Sequence, residues 1–195
     1  YNARTDLLNA ISNAAKAAAE ATAAALDDAI QVGGRNLLLN STYANRIPLY
    51  LMTATITNVE DLTLPSKQKI VFSDVVKDSY SYCFYLPTNN SKSYFSVSMF
   101  GKPFVWSFYM KANAPQTLVC GSREYTITTE WKRIEIPFHI NNENVHTQLF
   151  GEGLTTFEVS SIKVESGNKA TDWTPAPEDV QAEIDAASDA VNALD

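Results

Sequence analysis

Two rhythms of apolar and polar residues divide this chain. Near the N-terminus, Leu8, Ile11, Ala15, Ala18, Thr22, Ala25, Ala29 and Val32 recur at alternating steps of three and four, with Lys16, Glu20, Asp27 and Asp28 off the stripe. The last stretch repeats the pattern in Val180, Ile184, Ala187, Val191 and Leu194. A small or apolar stripe of period 3.5 is what one helix buries against a copy of itself, so a coiled-coil helix is expected at each end. Alanine also favours a helix on its own, and an amphipathic helix can pack on its own domain. A lone solvated helix and a folded-back helix therefore stay open as alternatives. Alanine at these positions leaves the number of strands unspecified.

Between the arms the period changes. Short β-branched and aromatic runs lie near residues 49–57, 69–72, 80–86, 94–100, 104–111, 117–120, 125–128, 132–140 and 157–164, separated by Pro, Asn, Asp, Gly and Ser. Many short strands without a helical pattern between them predict a mainly β, antiparallel sandwich or barrel. The domains expected are an N-terminal helix at 1–33, a β-sandwich at 34–174 and a C-terminal helix at 175–195. Gly33-Gly34 supplies the stop for the first helix, and Pro175 and Pro177 followed by Glu178-Asp179 mark the start of the second. Trp173, just before them, is expected to pack on the sandwich and anchor the junction.

Alternation assigns faces. Phe95, Val97 and Met99, then Trp106, Phe108 and Met110, then Ile134, Ile136, Phe138 and Ile140 read as inward. Tyr94, Ser96 and Ser98, Ser107, Tyr109 and Lys111, and Trp131, Arg133, Glu135 and His139 are left facing out. Aromatics set among hydroxyls and charges suit a saccharide, whose ring stacks its C–H face while polar neighbours bond its hydroxyls. The candidate carbohydrate site is therefore Tyr94, Tyr109, Trp131 and Arg133, with Glu135 and His139 adjacent.

Charge sharpens the choice of ligand. The net charge is −7, and the C-terminal arm carries Glu178, Asp179, Glu183, Asp185, Asp189 and Asp195 with no base. The sandwich itself is left near neutral, which argues against duplex nucleic acid, since that needs a basic stripe, and favours an uncharged sugar. No run of eighteen apolar residues exists, so no membrane-spanning helix is expected. The chain begins at Tyr1, as a piece of a longer protein would. Cys83 and Cys120 read as small buried hydrophobes, with a disulfide between them left open as an alternative. His139 and His146 have no Cys or paired acid at metal-ligand spacing, so neither a metal nor a cofactor is expected. Ser122 lacks the flanks of a nucleophile elbow, and Glu124, Glu130 and Glu135 read as solvated carboxylates rather than a glycosidase pair. The chain is not expected to be an enzyme.

Two longer motifs carry a resemblance. Gly34-Arg35-Asn36-Leu37-Leu38-Leu39-Asn40-Ser41 opens the body, and the stretch from Ile162-Lys163-Val164-Glu165-Ser166-Gly167 through Lys169-Ala170-Thr171-Asp172-Trp173-Thr174-Pro175-Ala176-Pro177-Glu178-Asp179 closes it, with Trp106 to Ala112 between. Together they resemble the carbohydrate-binding-module-like jelly-roll domains in tail-fibre and baseplate receptor-binding proteins of phages that infect Gram-positive bacteria. Val164-Glu165 stands where the closing motif usually has Leu-Glu, a harmless core swap. The resemblance implies an antiparallel jelly-roll sandwich in a homotrimer of the virion tail tip or baseplate. Its implied partners are other tail or baseplate proteins and the cell-surface polysaccharide of a Gram-positive host. The motifs are fold signatures, so no ligand-binding residue is implied by them. A purely structural spacer bead of a fibre and an accessory binding domain of a cell-wall hydrolase remain as alternatives.

Overall fold

Strand-forming residues bounded by turn formers close into two antiparallel sheets in a computed structural model that describes residues 2–29, 33–40, 52–77, 82–86, 101–120, 123–139, 147–151 and 156–193. Among the described residues there are nine strands: β1 (Met52–Glu60), β2 (Gln68–Lys77), β3 (Tyr82–Leu86), β4 (Pro103–Ala112), β5 (Gln116–Cys120), β6 (Arg123–Ile127), β7 (Lys132–His139), β8 (Thr147–Gly151) and β9 (Phe157–Ser166). One sheet runs β1-β2-β9-β4-β7 and the other β3-β8-β5-β6. With β1 set aside as an added edge strand, the pairs β2·β9, β3·β8, β4·β7 and β5·β6 form one long hairpin rolled over a core, which is jelly-roll order. This topology brings the start of the roll beside its end.

The alternation is obeyed where it was most regular. Phe104, Trp106, Phe108 and Met110 of β4 and Ile134 and Ile136 of β7 point into one core with Ile70, Phe72, Phe157, Val159, Ile162 and Val164. Leu118 of β5 and Ile127 of β6 join that core from the smaller sheet. Phe72 and Phe157 stack with centroids 4.4 Å apart. In β9 the rhythm slips at Ser160-Ser161, where Ser161 takes φ 52°, so that Val159 and Ile162 both face inward. β8 was not expected, because its five residues lie between an Asn-rich turn and a Gly-rich one. The strand expected at 94–100, the inward Phe95, Val97 and Met99, and Ile140 lie outside the described residues. β8 stands between the strands that carry Cys83 and Cys120.

The resemblance motifs form the closure. The incoming strap (residues 33–40) runs beside β9 where β2 has turned away. The Leu37 amide donates to the Val164 carbonyl at 2.7 Å. Asn36 Nδ2 donates to the Ile162 carbonyl at 3.2 Å while its Oδ1 accepts from the Val164 amide at 3.2 Å, the pair of bonds that a neighbouring strand's peptide would make. Gly33 is needed for a close approach: a Cβ there would lie 2.3 Å from the Ser166 carbonyl oxygen. The outgoing strap (residues 169–176) crosses the outer face of β9. Its Thr171 gives its amide to Glu165 Oε1 and its hydroxyl to Glu165 Oε2, both at 2.7 Å. Lys163 Nζ donates to Thr171 Oγ1 and to the Asp172 carbonyl, both at 2.7 Å, and lies 3.4 Å from Glu165. The Lys163 and Glu165 side chains are 0% exposed. Trp173 Nε1 donates to the Ile162 carbonyl at 3.0 Å, anchoring the junction as expected.

The helices are α1 (Asn2–Ala29) and α2 (Pro177–Asn192). By compactness the chain divides into Tyr1–Gln31 and Val32–Asp195, so α2 belongs with the sandwich. Pro177 stands in its first turn, where Glu178 pairs with Arg35 and Asp179 accepts from the Asn40 amide at 2.7 Å. Beyond that turn α2 buries nothing: Ile184 is 56% and Val191 62% exposed. Every described side chain of α1 is exposed, Leu8 and Ile11 at 57% each. No helix among the described residues is long and apolar enough to cross a membrane.

Glu165→Gln leaves the Lys163 ammonium buried without its counter-charge, a change that costs about 3–5 kcal/mol. Urea denaturation should show that loss, whereas the equally sized change at the exposed Glu124 should move the midpoint little. Equal midpoints for the two variants would contradict the closure described here.

Candidate carbohydrate site

The outer face of the larger sheet is not one open platform. Val105 and Ser107 point outward from β4 yet are buried, on the side where the outgoing strap meets Lys163 and Glu165 of the adjacent β9. Arg133, expected to meet ligand, is part of the closure: its guanidinium donates to the Thr171 carbonyl and lies 3.6 Å from Asp172 and 3.3 Å from Glu135. Glu135 is exposed beside it. Arg133 thus also holds the outgoing strap.

Toward the other end of the sheet the outward side chains are partly exposed: Lys69 and Glu158 at 20% each and Lys111 at 27%. There the cross-strand register places a polar ladder across four elements. Lys69 of β2 lies 3.9 Å from Asp61 and 2.8 Å from Glu158, and Glu158 of β9 lies 3.2 Å from Lys111 of β4. The Lys111 ammonium in turn sits 5.1 Å from the centroid of the Trp131 ring, just before β7. The Thr63 hydroxyl, then its amide and Lys69, hold the Asp61 carboxyl below its ordinary range, against an opposing pull from desolvation. Charges alternate along the ladder, so the face is electrically near neutral.

Beside the ladder lies an open cleft of about 270 Å³, lined by Lys111, Ala112, Asn113, Thr129, Thr156, Phe157 and Glu158. Its backbone is fixed by the Asn113 amide donating to the Thr156 carbonyl at 3.1 Å and the Ala112 amide donating to the Thr128 carbonyl at 2.9 Å. Amide and hydroxyl groups thus lie next to a self-neutralised ion pair, and Lys111 links the lining to the Trp131 ring outside it. This chemistry suits a neutral polyol.

Of the expected site residues, the fold brings Tyr109, Trp131 and Arg133 to one end of the sheet, with Tyr109 and Arg133 in direct register and Trp131 and Tyr109 half-buried. His139 is set apart: it ends β7 opposite Pro103, eight residues or about 26 Å of strand from Trp131. Tyr94 and His146 lie outside the described residues. Sequence reasoning missed Asp61, Lys69, Glu158, Asn113, Thr129 and Thr156, because only the register of strands distant in the chain makes them neighbours. Glu124 lies on β6, Glu130 in the following turn and Glu135 on β7, all exposed. Among the described residues no three His, Cys, Asp or Glu side chains are grouped to hold a metal ion.

No protein-family model matches the chain, and no curated protein sequence matches it. The structure is similar to carbohydrate-binding modules. The CBM22-1 xylan-binding domain from Paenibacillus barcinonensis aligns with 72% of this chain and 99% of its own length, at 11% identity and a TM-score of 0.48. The tandem CBM22-1-CBM22-2 domain from the same organism aligns with 73% of this chain and 49% of its own length, at 11% identity and a TM-score of 0.44. The CBM22-1-GH10 modules of a Clostridium thermocellum endo-1,4-β-D-xylanase, complexed with xylohexaose, align over 72% of this chain at 9% identity and a TM-score of 0.44. The match spans only 30% of that xylanase chain.

Arg133→Ala removes a charged hydrogen bond to the outgoing strap and should lower folding stability by about 1.5–3 kcal/mol. Urea denaturation checks this. A variant as stable as the parent would free Arg133 for a ligand role.

Proposed function

We propose that the sandwich is a non-catalytic glycan-binding module of a trimeric phage tail or baseplate protein, attaching the virion to cell-surface polysaccharide of a Gram-positive host. The observation that carries this reading is the partly exposed end of the larger sheet, where the half-buried Trp131 and Tyr109 stand near amides, hydroxyls and paired charges. Its position supports the same reading. The straps that lead into and out of the sandwich contact β9 from Ile162 to Ser166, whereas the cleft lies at Phe157 and Glu158. Four residues, or about 13 Å of strand, separate Glu158 from Ile162, the nearer end of that contact.

Self-association is supported by the stripes. Leu8, Ile11, Ile184 and Val191 are exposed on each chain. In heptad terms Asp185, Asp189, Glu178 and Asp179 fall on the far side of the α2 stripe, and Glu183 alone flanks it. Copies of α2 can therefore meet along the stripe with their acids facing water. One saccharide site built from stacking and a few hydroxyl contacts has an affinity of about 0.1–1 mM. Three on one stalk gain about a hundredfold when they engage together.

Sedimentation equilibrium should give a mass of three chains, and Ile184→Asp should shift it toward the monomer without unfolding the sandwich, because each copy would bury a charge in the stripe. The trimer should be retained on purified host wall polysaccharide, and incubation should release no reducing ends. A trimer that binds no wall polysaccharide would favour the spacer reading instead.

A further inference from the structure

The Lys111 ammonium occupies two positions of interest at once. It lies over the Trp131 ring and it lines the cleft, 3.2 Å from Glu158. The ring face that would stack a sugar is thus covered, in the unliganded chain, by a cation with a second anchor close by. Glu158 is itself held on its other oxygen by Lys69 at 2.8 Å, so the carboxylate stays in place whichever way Lys111 leans. Thr129, two residues before Trp131, lines the cleft on the same side, and Asn113 and Thr156 complete it across the Asn113–Thr156 backbone bond.

We propose that this cleft is a subsite for one uncharged sugar unit of a polysaccharide, and that Lys111 gates it. The sugar ring takes the place of the ammonium on Trp131, the ammonium withdraws onto Glu158, and hydroxyls of the sugar are bonded by Asn113, Thr129 and Thr156. The inference rests on the glycan-binding reading and adds the place, the ligand charge and the gate. An anionic sugar is disfavoured because Glu158 lines the cleft, and a cationic one because Lys111 does. The cleft is smaller than the about 300–1,000 Å³ of a drug-sized pocket, which fits a single ring, and its open form lets the polymer continue on either side.

The gate makes a prediction that a passive aromatic platform does not. Trp131→Ala should weaken binding about tenfold, the scale of one aromatic contact. Lys111→Met keeps the aliphatic stem and removes the charge that competes for the ring, so it should bind as tightly as the parent or a few-fold tighter. Glu158 keeps Lys69 as its partner in that variant, which preserves the fold. The test is calorimetric titration of the full chain and both variants with purified host wall polysaccharide and with its neutral and anionic fragments, folding being checked by circular dichroism. Support is tenfold weakening in Trp131→Ala, no weakening in Lys111→Met, and preference for neutral fragments. If the parent binds but Trp131→Ala binds equally well, the subsite is wrong while the glycan-binding reading stands. If Lys111→Met weakens binding as much as Trp131→Ala, or anionic fragments are preferred, the gate and ligand charge are wrong. Binding to no fraction by the parent overturns both readings.

Discussion

Everything in the sandwich depends on how its two ends are tied to β9. A rolled hairpin delivers its first and last strands side by side, and β2 pairs with β9 only from Phe157 to Ser160. The remaining length of β9 would expose unpaired peptide groups, which cost free energy wherever water is excluded. Asn36 and Leu37 supply those bonds from one side. From the outer face, Thr171 and Asp172 close over Lys163 and Glu165, satisfying a fully buried ion pair that would otherwise be a liability. Arg35 to Glu178 and Asn40 to Asp179 extend the tie to the first turn of α2. The incoming and outgoing chains are thereby pinned to each other as well as to the sheet.

That closure decides where a ligand can sit. It engages Arg133 and covers the outer face near Ser107, so the proposed site is placed from Trp131 toward Glu158. There the ladder from Asp61 through Lys69, Glu158 and Lys111 to Trp131 provides polar groups without a net field. Such a surface gains little from long-range steering and relies on short contacts, which suits low single-site affinity multiplied by several copies.

The sequence was legible wherever local rules act alone. Strict alternation in β4 and β7 identified Trp106, Phe108, Ile134 and Ile136 as core, and the Pro177 start of α2 followed from the chemistry of a helix's first turn. It was less legible where two distant segments decide. The Ser160-Ser161 bulge looks like ordinary strand, and β8 looks like loop, because each is stabilised by partners far along the chain. The same limit applies to the site. Alternation cannot tell an open outward face from one that a strap covers, so the strap bond of Arg133 and the nearness of Glu158 to Lys111 are not legible in it. The closing motif stood out in the sequence because its residues bond to one another over short spans, as Lys163, Glu165 and Thr171 do.

The most direct test is to map chemical shifts on the isotopically labelled chain while host wall oligosaccharide is added. The account predicts that the Trp131 indole N–H and the backbone amides from Lys111 to Asn113 shift progressively and saturably, while the indoles of Trp106 in the core and Trp173 in the outgoing strap stay unmoved. Saturable shifts confined to the strap end of the sheet, with Trp131 unchanged, would contradict it.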